Sequence, residues 1–161
     1  MSAFSISHSV AKLLNDQTKF DPEMIHASLN FWFIDHEKIR CPFPDHMRNK
    51  LPDIAILKFI QWSDKLTPEA KKEINDEILV EKFEELLFSE GHKFAETEDE
   101  KITIKYPFLV RTGDTVMDKN EDSIVTSRTV RKDGDNMFLD VTLMNQPTRN
   151  GWATSFELPE Y

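Results

Sequence analysis

The stretch over residues 87–106, LFSEGHKFAETEDEKITIKY, is where the hydrophobic rhythm of this 161-residue chain changes. Up to Gly91 the apolar residues recur at helical spacing, and from Lys101 they alternate as strands do. The change predicts an α+β chain: about four N-terminal helices over residues 1–95, packed against a C-terminal antiparallel meander of three to four strands over 100–161. At this length one domain spanning 1–161 buries roughly two thirds of its unfolded surface, so no disulfide or metal staple is required.

Working back from Gly91, Thr67-Pro68-Glu69-Ala70 opens the clearest helix, with Thr67 as N-cap and Pro68 at its first position. Ile74, Ile78, Leu79, Phe83, Leu86 and Leu87 form its apolar stripe, and Gly91 is placed as its left-handed stop. A second helix starts at Pro52 or Asp53 and carries Ile56, Phe59, Ile60 and Trp62. Residues 41–52 hold Pro42, Pro44 and Pro52 and read as an ordered connection. Asp21-Pro22-Glu23 starts a helix running toward Asp35 or His36, and Ser7 or Ser9 starts a short one through Leu14.

Working forward, residues 96–100 read as a charged connector and 101–106 as the first strand. Strands over 123–131 and 137–144 are joined by the turn Asp133-Gly134-Asp135-Asn136, and Gly151 to Leu158 supplies another. The acidic segment 114–122 reads as a turn. Ile102, Ile104, Phe138, Val141 or Leu143, and Trp152 or Phe156 are the expected anchors of the buried sheet face.

Composition narrows the function classes. Hydrophobic residues make up 39% and include twelve Phe and three Trp, while 30% charged residues supply a polar surface. The start of the chain lacks a basic segment followed by an apolar run, and no stretch reaches membrane-helix length, so a cytoplasmic protein without a membrane partner is expected. The single cysteine, Cys41, fits a reducing compartment. Of the net charge of −9, −8 falls within residues 64–100, where thirteen Asp and Glu face five Lys. Arg128, Arg131 and Lys132 form only a small basic cluster, so nucleic acid is not an expected partner. Four glycines cannot assemble a glycine-rich phosphate loop, and the chain has no G-x-S-x-G, H-E-x-x-H or EF-hand pattern.

Two classes of function remain. The first is a non-catalytic protein-interaction or adaptor-type domain, binding a basic protein partner or a second copy of itself. Its contacts are Trp32 in the run Phe31-Trp32-Phe33, and the acidic helix with Glu73, Glu77 and Glu84, since aromatic residues favour interfaces. The second is a small-molecule binder or enzyme with an apolar pocket between helices and sheet, closed by Arg111, Arg128 or Tyr106. Its chemistry would rest on His36, Cys41 and His46, whose spacing H-x4-C-x4-H offers thiolate and imidazole ligands to zinc, or a thiol with a neighbouring base. That spacing matches no common zinc signature, a lone cysteine is more often a packed core residue, and no cofactor is expected. The aromatic runs are also explained by core packing alone.

Overall fold

The computed structural model describes residues 4–34 and 40–159. Among these, six α-helices precede a four-stranded antiparallel sheet, the α+β order read from the sequence. The chain divides into two compact units, Met1–Glu96 and Thr97–Tyr161.

The helical unit is punctuated by side-chain caps. Helix α1 (His8–Asp16) starts at Ser7, whose hydroxyl accepts the Val10 N–H at 3.3 Å. Helix α2 (Pro22–Phe33) starts at Asp21, which accepts the Glu23 N–H at 3.0 Å with Pro22 at the first position. These caps satisfy backbone donors that a helix leaves orphaned. A short 3-10 turn (Asp45–Met47) leads into α3 (Leu51–Asp64). Phe33, Phe43, Phe59, Phe83, Leu14, Ile25, Leu29, Met47 and Ile56 are fully buried.

Two expectations for the acidic helix are corrected. The segment after Thr67 forms two helices, α4 (Pro68–Glu73) and α5 (Asp76–Phe94). Ile74 is extended, and the Asn75 side chain accepts the Ile78 N–H at 2.9 Å, restarting the helix. Asn competes with its own backbone for hydrogen bonds, which favours a cap over a helix interior. Gly91 lies inside α5, not at its end. A Cβ there would stand 2.7 Å from Cε1 of Phe43 and 3.3 Å from Leu51, so this glycine permits close approach and is not needed for its dihedral freedom.

The expected strand over 101–106 is also corrected: it belongs to α6 (Glu98–Lys105). Thr97 accepts the Glu100 N–H at 3.1 Å, and Glu98, Asp99 and Glu100 occupy the first turn, where the helix dipole favours negative charge. The cap outweighs the strand preference of Ile-Thr-Ile. Ile102 and Tyr106, one helical turn apart, enter the core of the sheet unit with Val125, Leu139, Val141, Leu143 and Leu158.

The sheet runs β1 (Thr115–Asp118), β2 (Glu121–Asp133), β3 (Asn136–Asn145), β4 (Gly151–Glu157), each antiparallel to the next. Residues 114–122 therefore form a hairpin and not only a turn; Lys119 and Asn120 take φ of 50° and 66°, the two left-handed residues of a type I′ connection. Gly134 (φ 61°) turns β2 into β3 as expected. A bulge between Val125 and Ser127 leaves Val125 and Arg128 facing the same side, opposite Leu143 and Val141. Of the expected anchors, Ile102, Val141 and Leu143 belong to the core of the sheet unit and half-buried Trp152 packs against it, while Ile104 is buried outside it and Phe156 is exposed. Phe138 is corrected to the opposite face, under Arg131, because strand alternation turns it away from the side that Val141 takes.

The Phe43 ring against Gly91 is fully buried between Phe33 and Phe88, so it has no room to retreat. Gly91→Ala should therefore lose about 1–2 kcal/mol despite its gain in helix propensity, through overpacking. A urea unfolding series checks this, and a variant as stable as the parent would contradict the packing argument.

Candidate functional site

Helix α2 brings Trp32 against α5. The indole is 9% exposed, meets Phe31 and Phe88 edge-on at 4.8 and 4.6 Å between centroids, and donates its N–H to the Glu84 carboxylate. Trp32 is thus a packed residue whose polar edge reaches the surface through Glu84. Phe31 and Ile34, at 37% and 47% exposure, are the accessible apolar groups of this segment.

Glu77, Glu81, Glu84 and Phe88 follow one another along α5 at helical intervals, so an acidic stripe leads directly to the Trp32 contact. Among the described residues Glu77 and Glu81 are exposed and make no ion pair. Lys82, which could neutralise the stripe, instead pairs with Glu85 at 3.3 Å and stands over the Trp62 ring. Glu73 is exposed at the end of α4. The four proposed contact residues are therefore divided: Trp32 and Glu84 touch, Glu77 lies on the same stripe, and Glu73 is on a separate helix.

Farther along α5, Glu90 is 6% exposed and accepts Lys58 and Lys93 at 2.9 Å each. Burial pushes its carboxyl up, and the two ammonium groups outweigh that, holding it below the usual carboxylate range. This is a closed structural group.

The His36, Cys41 and His46 set does not form a described site. His36 lies outside the described residues. Cys41 is buried and its thiol donates to the Phe43 carbonyl at 3.6 Å, while His46 Nδ1 is 3.5 Å from Glu96. Among the described residues no three His, Cys, Asp or Glu side chains gather as a metal-binding group. Nor is any helix of these residues long and apolar enough to cross a membrane.

Arg128, expected in a surface basic cluster or at a pocket rim, is neither. Its side chain is fully buried in the sheet unit; Nε donates to Asp99 Oδ1 at 2.8 Å, Nη1 to the Val110 carbonyl at 2.8 Å, and Nη2 to the Asp99 carbonyl at 3.0 Å and to the Thr103 hydroxyl. Arg131 points to the opposite face, paired with Asp140 at 2.8 Å, so the cluster is split by the sheet. Tyr106 is buried in the sheet core and borders an open groove of about 410 Å³ with Lys105, Asp135, Asn136 and Leu158. Asp99, read as part of a solvated connector, is the partner sequence reasoning missed; the pattern Thr97-x-x-Glu100 carried the signal, because it places Asp99 in a helical first turn.

Comparison of the chain with models of known protein families, with curated proteins and with solved structures gave no match.

Burial pushes the Asp99 carboxyl up, but Arg128 and the Thr112 hydroxyl outweigh it and hold it low. A carboxyl lowered by folding stabilises above its unfolded value and loses that contribution as pH falls through the folded one. Stability of the sheet unit should therefore drop below about pH 4, and Asp99→Asn should flatten that drop when urea midpoints are compared across acidic pH. Arg128→Ala, which removes a buried side chain that donates to Asp99, Thr103 and the Val110 carbonyl, should cost roughly 2 kcal/mol at neutral pH. A loss as small as that of an exposed substitution would remove Arg128 from its central place.

Proposed function

We propose that this chain is a non-catalytic, cytoplasmic protein-interaction module whose contact surface is the acidic stripe of α5 together with the exposed rim of the Phe31-Trp32 segment. The partner is a basic protein segment with an apolar anchor. The observation that carries this reading is the juxtaposition of Glu77 and Glu81, exposed without ion pairs, with Glu84 held on the Trp32 indole. An interface of this kind uses the aromatic rim for area and the carboxylates for orientation and encounter rate. Buried Trp32 contributes by positioning Glu84, while Phe31 and Ile34 offer the apolar contact.

The test is titration of the full chain with a fluorescent lysine-rich amphipathic peptide at low and high salt. Double charge reversal at Glu77 and Glu81 is compared with an equal reversal at Asp118 and Asp122 of the sheet unit. Rim charges contribute about 0.2–1 kcal/mol each, so the first set should weaken binding about tenfold and the second much less. Phe31→Ser should weaken it further and leave the salt dependence in place. Equal losses from both reversal sets would mean that the peptide senses only net charge, and the stripe would no longer be the site.

A further inference from the structure

The free edge of β4 differs from the other sheet borders. The Leu158 N–H donates to the Met137 carbonyl and the Asn145 N–H to the Asn150 carbonyl, both at 2.8 Å, so even-numbered residues of β4 bond inward to β3. By the antiparallel alternation, Gly151, Ala153, Ser155 and Glu157 direct their N–H and C=O groups outward. All four are exposed, and among the described residues β4 pairs only with β3. Edges of this kind are usually blunted by charge, proline or shortness. The opposite border has such protection: β1 is four residues long, and its hairpin carries Asp118, Lys119, Glu121 and Asp122. Strand β4, Gly-Trp-Ala-Thr-Ser-Phe-Glu, has no proline and one charge.

We infer that β4 pairs antiparallel with β4 of a second copy of this chain, about a two-fold axis at Thr154. This register sets the outward-bonding Ala153 opposite Ser155 and Gly151 opposite Glu157, so every outward backbone group meets a partner. What favours a second copy is the side-chain register that this axis gives. The single charge of each strand falls opposite a glycine, with no like charges facing. Trp152 falls opposite Phe156 on the core side of the sheet. The Trp152 indole donates to Ser123 Oγ at 3.0 Å, so its ring leans inward across β3. Phe156, 43% exposed and on the same face, is the apolar group that the second copy would lay beside Trp152. On the other face the meeting residues are small, Ala153 and Ser155, so the strands can approach to ladder distance.

Sedimentation of the full chain across the micromolar range tests the pairing. The parent should rise from the mass of one chain to twice that mass. Thr154→Lys and Thr154→Glu each set like charges face to face on the axis and should stay at one chain, whereas an equimolar mixture of the two should return to twice the mass. Ala153→Pro, which removes an outward donor without touching the β3 ladder, should also stay at one chain, and covers the case in which a charged variant loses its sheet signal. A parent that remains a single chain throughout, a mixture that fails to recover, or variants that associate as the parent does would each overturn the inference.

Discussion

The helical unit closes around the ring of Phe43. It stacks on Phe33 at 5.0 Å, tilts against Phe88 at the same distance, and receives α5 at Gly91, the position where a Cβ would collide with it. A connection carried into a core normally brings backbone polar groups that water can no longer reach. Here Pro42 and Pro44 flank the buried ring and have no N–H to satisfy. The Phe43 carbonyl accepts Arg48 Nε at 2.8 Å and the Cys41 thiol. Cys41 and the prolines are thereby explained as parts of one buried turn. Because Phe88 packs on both Phe43 and Trp32, the same contact fixes where Trp32 presents its indole to Glu84.

In the sheet unit the corresponding constraint is the Arg128 guanidinium. Burying a cation is costly unless charge and hydrogen bonds compensate it, and Asp99, Thr103 and the Val110 carbonyl supply both. These partners come from α6 and the segment after it, so one side chain of β2 ties them to the strand. The bulge at Thr126 makes this possible. With strict alternation after Val125, Ser127 would face the core; the extra residue turns Arg128 inward, and Thr126 donates its hydroxyl to the Thr142 carbonyl.

This explains how much of the chain was legible in its sequence. Caps at Ser7, Asp21 and Thr67, and the Gly134 turn, are local chemistry, and a few neighbouring residues suffice to read them. The Asn75 restart and the Thr97 cap were equally local but stood inside stronger patterns, a long apolar stripe and an alternating Ile-Thr-Ile, which masked them. Gly91 and Arg128 were not legible in the same way. The first depends on a ring 48 positions away in the chain, and the second on a bulge that changes which residues share a face. Of the candidate surface, the acid and the aromatics could be read from composition, but the fact that Trp32 is spent on packing and presents only its bonded edge required the fold.

The acidic stripe is a feature that the fold itself does not call for. Asp76 and Glu77 occupy the first turn of α5, where the dipole welcomes them, but that benefit fades within a turn and does not reach Glu81, Glu84 or Glu85. Glu77 with Glu81, and Glu81 with Glu85, stand four residues apart, a spacing at which like charges cost about 0.2–0.5 kcal/mol per pair. Lys82 answers only Glu85. A cationic surface laid along the stripe would relieve this repulsion and gain Coulomb energy at the same moment, while salt would screen both effects together. The Trp32 bond to Glu84 adds a second element, because it holds one carboxylate in place, which would lower the ordering cost of the proposed binding. Repulsion that a partner can relieve, beside a carboxylate already oriented, is the physical case for placing recognition on α5.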